Sequence, residues 1–142
     1  MAKTKVKTFQ LSETSDRPDL INEIEQLAEA AADFAGFSEE DRDSLAIALT
    51  ELGNNAINHG NKRDPHKRVH LKITSQPGEV RISVSDEGGG FNPDNLKNPL
   101  DPENLLNESG RGVFIVRSLM DEVDFSFTDR GTTVTIVKRS KT

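Results

Sequence analysis

The chain has no cysteine, no tryptophan and no tyrosine among its 142 residues. Without cysteine it forms no disulfide, offers no thiolate to a metal and carries no thiol nucleophile. Seven Phe are its whole aromatic supply, a poor stock of stacking platforms for single-stranded nucleic acid. A net charge of −6 points the same way, because binding to a phosphate backbone rests on clustered Lys and Arg. No direct nucleic-acid partner is expected. No apolar run is long enough for a membrane span, and the opening "MAKTKVKTFQL" lacks the apolar core of a secretory signal. The expectation is one cytoplasmic domain over residues 1–142, with 33% hydrophobic and 30% charged residues and enough length to bury a real core.

Charge is uneven along the chain. Residues 61–72 are basic and read as a solvated loop, whereas 86–109 are mostly acidic. "VKTFQL" alternates apolar and polar residues and predicts an opening strand. Leu20, Ile24, Leu27, Ala31 and Phe34 then recur at helical spacing, with Gly36 placed to cap the helix. Ser38 and Asp41 resemble a capping box that opens a second helix. Its pattern runs to about His59, where Gly60 stops it. "VHLKI" and "VRISV" predict a hairpin of half-buried strands. Residues 91–109, rich in Asn, Pro and Asp, predict a loop, and "GRGVFIVRSLMDEV" a glycine turn entering a short helix. "VDFSF" and "TTVTIV" predict a second hairpin around Asp129-Arg130-Gly131. This order implies an α+β two-layer sandwich: a mixed, mostly antiparallel sheet covered on one face by three helices.

Three stretches carry chemistry. On the second helix, Leu45, Leu49, Leu52 and Ala56 form an apolar stripe, and Glu51, Asn55 and His59 line one flank of it. A carboxylate and an amide one turn apart can hold a nucleophile and a cation together, or can be ordinary polarity at a helix edge. Asp86 shares the parity of Val80, Ile82 and Val84, so it continues the strand's inward face. A carboxylate placed there needs a donor, and the exocyclic amino group of a purine is one. The glycines Gly88, Gly89 and Gly90 let a flat ring approach the backbone without Cβ clashes, although a glycine-rich surface turn reads similarly. In "SGRGVFIV", Gly110 and Gly112 precede a helix, where free N–H groups and the positive dipole end favour phosphate. A plain helix start explains that pair nearly as well.

In combination, E-x-x-x-N on a helix, D-x-G-x-G after a strand and G-x-G before a helix resemble the boxes of a nucleotide-binding superfamily. Its members include DNA gyrase, heat-shock chaperones, sensor histidine kinases and mismatch-repair ATPases, and its sandwich is the Bergerat-type ATP-binding fold. Within it, "TELGNNAINHG", "DEGGGF" and "ESGRGVFIVRSLMDEV" look most like the small anti-sigma factor serine kinases of bacterial stress and sporulation control. The resemblance implies ATP and Mg²⁺ as cofactors. It assigns Asp86 to the adenine amino group, Gly88 and Gly90 to the base pocket, and Thr133 of "GTTV" to its neighbourhood. Asn55 would ligate Mg²⁺ and Glu51 would act as general base. Gly110, Arg111 and Gly112 would cradle phosphates beneath a mobile ATP lid at 91–109.

The resemblance also implies a protein serine/threonine kinase that phosphorylates a serine on an anti-anti-sigma partner and sequesters a sigma factor, as a homodimer. Two alternatives share the same boxes. One is a binding module in which ATP orders the lid without phosphotransfer, and the other is a stand-alone ATPase domain of histidine-kinase type. The helix pair that would carry a phosphorylated histidine has no room in this chain. Glu51 keeps catalysis open.

Overall fold

The computed structural model describes residues 5–88, 108–128 and 130–140. Strand β1 (Lys7–Thr14) is followed by helices α1 (Leu20–Ala35) and α2 (Glu39–Asn54), and α2 continues into a wider helical turn, Asn55–Gly60. Strands β2 (Arg68–Gln76) and β3 (Glu79–Ser85), helix α3 (Glu108–Leu119), and strands β4 (Glu122–Thr128) and β5 (Gly131–Arg139) complete it. The five strands lie in the order β1-β2-β3-β5-β4. Every pairing is antiparallel, which narrows the mixed, mostly antiparallel sheet expected from sequence. The last hairpin inserts β5, not β4, beside β3.

The helix boundaries follow from local chemistry. Gly36 adopts a left-handed φ of 76°, a conformation that costs a Cβ-bearing residue more. The N–H groups of Gly36 and Phe37 return to the carbonyls of Asp33 and Ala32, closing α1 in the manner of a C-terminal cap. Ser38 Oγ accepts from Asp41 N–H at 3.2 Å and starts α2, as the capping pattern predicts.

One face of the sheet is buried beneath the helices. Val69, Leu71 and Ile73 of β2, Val80, Ile82 and Val84 of β3, and Val134 and Ile136 of β5 meet Leu20, Ile24 and Ala28 of α1 and Leu45, Leu49 and Leu52 of α2. Gly53 sits where the two helices cross: a Cβ there would lie 3.2 Å from Ile24 Cδ1 and 3.3 Å from Ile21 Cδ1. That close approach explains a poor helix former inside α2. The opposite face is polar. Cross-strand hydroxyls pair along it, Ser83 with Thr135 at 3.2 Å and Ser85 with Thr133 at 2.8 Å.

A buried cation ties the helix layer to the sheet. Lys138 Nζ donates to the Leu119 carbonyl at the end of α3 and lies 3.8 Å from Asp41 Oδ1. Among the described residues, no helix is long and apolar enough to cross a membrane.

Candidate nucleotide site

The stretch after α2 departs from the regular helix expected as far as His59. Asn61 N–H bonds to the Ala56 carbonyl at 2.8 Å, one residue further back than an α-helix allows. Ala56 and Ile57 of the wider turn are both buried. The turn also carries Gly60 against Asp86, so closely that a Cβ on Gly60 would overlap the Asp86 carboxylate. Such turns recur at functional sites. Lys62 and Arg63 follow with left-handed φ of 52° and 57°, an uncommon conformation for residues with side chains. The His59 side chain lies outside the described part of the structure.

Asp86 leaves β3 on the inward face, as its parity predicts. Its Oδ1 accepts from Gly88 N–H at 3.0 Å and from Thr132 N–H at 3.2 Å. Its own N–H donates to the Thr132 carbonyl at 3.0 Å. Three glycines crowd it. A Cβ at Gly88 would strike the Gly60 carbonyl, and one at Gly131 would strike the Asp86 carbonyl. Burial raises the Asp86 pKa above the usual carboxylate value, opposed by the Gly88 and Thr132 hydrogen bonds and by Lys67. Asp86 is thus a half-buried carboxylate in a collar of glycines, with Oδ1 held by two backbone N–H groups.

Thr133 does not belong to this pocket. Its hydroxyl pairs with Ser85 on the polar face of the sheet. Thr132 has the parity of Val134 and Ile136 and turns inward. Its Oγ1 is buried without a hydrogen-bond partner among the described residues. A buried, unsatisfied hydroxyl on the residue that brackets Asp86 fits a ligand group that completes it. Alternation along β5 was the signal that separates the two threonines. Gly60 and Gly131 gave no such signal, because their closeness to Asp86 is a product of the fold.

Glu51 and Asn55 stand one turn apart on α2 and its extension, both half-buried. Gly112 of α3 packs against them. A Cβ there would lie 2.8 Å from Glu51 Oε2 and 3.6 Å from Asn55 Nδ2. The second glycine box therefore meets the carboxylate–amide pair in space. Gly110 and Gly112 lie inside α3 and not ahead of it, since the helix begins at Glu108. The Gly110 N–H still falls in the first turn, which lacks intrahelical acceptors, whereas the Arg111 N–H is the first to bond back along the helix; Gly112 lies close to Glu51. The Arg111 side chain, Gly89 and Gly90, and residues 91–107 of the expected lid lie outside the described residues, and 108–109 are already helical.

Asp86 and Glu51 lie at opposite ends of the wide turn: Gly60 packs on Asp86, and Glu51 stands one turn before Asn55. An asparagine amide is the kind of oxygen donor that suits Mg²⁺ held mainly by phosphates and water.

A family model described as the histidine kinase-like ATPase domain matches residues 14–138. The chain belongs to that family, and its nucleotide is ATP. Among curated proteins it resembles serine-protein kinase RsbW of Bacillus licheniformis, 31% identical over 128 residues that cover 86% of this chain and 79% of the relative. It also resembles anti-sigma F factor of Oceanobacillus iheyensis, 33% identical over 67% of each chain. Among solved structures, the RsbU and RsbW domains of Rv1364c from Mycobacterium tuberculosis superpose with a TM-score of 0.67 at 17% identity. That match covers 94% of this chain and 32% of the other. The catalytic domain of histidine kinase ThkA gives 0.57 at 15% identity, covering 94% of this chain and 96% of that domain. These structural likenesses bear on the fold.

Proposed function

We propose that the protein is an ATP-dependent serine-protein kinase and anti-sigma regulator that phosphorylates a serine on a small anti-anti-sigma partner. A sigma factor is its alternative partner, the functional form is a homodimer, and it works in the cytoplasm. The observation that carries the catalytic part is the packing of Gly112 against Glu51 and Asn55. It supports a reading in which the start of α3 faces the phosphates and the Glu51 carboxylate beside it serves the incoming hydroxyl. The relatives named above, at about one-third identity, supply the protein-serine acceptor.

At the far end, Asp86 accepts from the adenine amino group while Thr132 Oγ1 gains the partner it lacks. Asn55 would hold Mg²⁺, which when bound would neutralise charge on the transferring phosphoryl group. Glu51 takes the proton from the incoming serine hydroxyl. The serine oxygen forms a bond to the γ-phosphorus as the bond to the bridging oxygen breaks, and ADP leaves. The first-turn N–H of Gly110 holds the phosphates in place, with Arg111 and Gly112 following it at the same end of the site.

Titration calorimetry with ATP, with and without Mg²⁺, tests the arrangement. Asn55→Ala should remove most of the Mg²⁺-dependent gain in affinity and leave the Mg²⁺-free affinity within about threefold of wild type, since only an ion ligand is lost. A full Mg²⁺ effect in this variant would take Asn55 out of the metal site.

A further inference from the structure

Asn61 is almost fully buried, at 1% exposure, and its side chain joins three separate segments. Nδ2 donates to Ser15 Oγ at 2.7 Å, beyond the end of β1, and to the Arg68 carbonyl at 2.8 Å, where β2 begins. Oδ1 accepts from Glu87 N–H at 2.7 Å, just past β3. Its backbone is fixed as well: Asn61 N–H closes the wide turn on Ala56, and its carbonyl accepts from Asp64 N–H at 3.0 Å. The two left-handed residues that follow, Lys62 and Arg63, hold a conformation that persists only where the surroundings impose it.

Glu87 N–H belongs to the peptide plane that also contains the Asp86 carbonyl. A peptide is planar, so fixing that N–H fixes ψ of Asp86. The preceding peptide plane is held by the bond from Asp86 N–H to the Thr132 carbonyl. With both planes pinned, the direction of the Asp86 Cα–Cβ bond is set. The Glu87 carboxylate reinforces the same exit, accepting from Arg68 N–H at 2.8 Å and meeting His70 Nε2 at 2.9 Å. The side-chain hydrogen bonds of Asn61 go to Ser15, Arg68 and Glu87 and not to Asp86. Asn61 acts through the backbone.

We infer that Asn61 is a positioning residue for base selection: its amide aims the Asp86 carboxylate at the amino group of the purine. The inference rests on the reading of Asp86 as the adenine-binding group. It assigns base discrimination, in addition to affinity, to a residue outside the glycine boxes.

The test compares the affinities of the full chain for ATP and for purine riboside triphosphate, which lacks the 6-amino group. Wild type should prefer ATP by roughly 10- to 100-fold, the ratio expected for one hydrogen bond to a charged group. In Asn61→Ala the ratio should fall below about threefold, while affinity for the purine analogue stays within about threefold of wild type. Ser15→Ala, which frees one side of the amide and leaves Asn61 in place, should lower the ratio by a smaller factor. It carries the test if Asn61→Ala does not fold. Equal weakening of both nucleotides, with the ratio kept in each folded variant, would overturn the inference and leave Asn61 a packing residue. Asp86→Asn separates the two levels. A ratio kept in that variant overturns the base-site reading itself, whereas a ratio lost there and kept in the Asn61 and Ser15 variants overturns the inference alone.

Discussion

Glu51→Gln should bind ATP with near wild-type affinity and transfer phosphate 10²- to 10⁴-fold more slowly, the usual range for removing a general base. The substitution keeps the size of the side chain and a carbonyl oxygen, so the packing of Gly112 against it is preserved. What is lost is the proton acceptor. Serine is a weak nucleophile at its ordinary pKa and depends on a neighbouring base, so the loss falls on the chemical step. Single-turnover transfer measured beside calorimetric ATP binding distinguishes this from a binding defect. Transfer at the wild-type rate would remove Glu51 from the base role.

Asp86→Asn acts at the opposite end of the site. The carboxylate now accepts from Gly88 and Thr132 through Oδ1, which leaves Oδ2 for the purine amino group. An asparagine that keeps Oδ1 on those two N–H groups presents its own NH₂ to the ligand, donor against donor. Loss of a hydrogen bond to a charged group costs about 1.5–3 kcal/mol, so ATP affinity should fall roughly 10- to 100-fold. The raised pKa of Asp86 adds a pH signature. A protonated carboxyl is a poorer acceptor, so affinity should decline as pH falls through the raised value, starting above the range of an ordinary aspartate. Stability has the opposite sign at this residue: burial disfavours the charged form, and protonation relieves that cost as pH falls. Glu87 behaves conventionally, its pKa lowered first by the His70 hydrogen bond. Its contribution to stability is full above the unfolded-state value and is lost as pH falls through the lowered one. Calorimetry of wild type and Asp86→Asn across acidic pH checks both effects. Unchanged affinity in the variant would move the base elsewhere.

The strands of the first hairpin, the caps at Gly36 and Ser38 and the inward parity of Asp86 were legible because each depends on residues within one turn or one strand. Alternation along β2 and β3 shows directly in Val69, Leu71 and Ile73 and in Val80, Ile82 and Val84, all buried. The three boxes were legible as spacing. Their meeting in space was not, since Gly112 touches Glu51 only once α3 has packed on α2. The wide turn at Asn55–Gly60 was hidden because helical spacing continues through it. Its marks are the Asn61–Ala56 backbone bond and the approach of Gly60 to Asp86, which exist only in the folded chain. The resemblance of "GTTV" to a threonine-bearing element points to Thr133, whereas the β-strand parity of Val134 and Ile136 turns Thr132 inward and leaves Thr133 paired with Ser85. Asn61 left no trace in the sequence, because Ser15, Arg68 and Glu87 become its neighbours only in the folded sheet.

The most direct test of phosphotransfer is to incubate the protein with γ-labelled ATP, Mg²⁺ and each of the small proteins encoded beside it, then locate the label by mass spectrometry. Label should appear on one serine of one partner. It should require Mg²⁺, disappear when that serine is replaced by alanine, and fall to the slow rate with Glu51→Gln. ATP bound by the wild-type protein with no label on any partner, while a partner is still captured in a nucleotide-dependent way, would contradict the kinase and leave a module that binds without transferring.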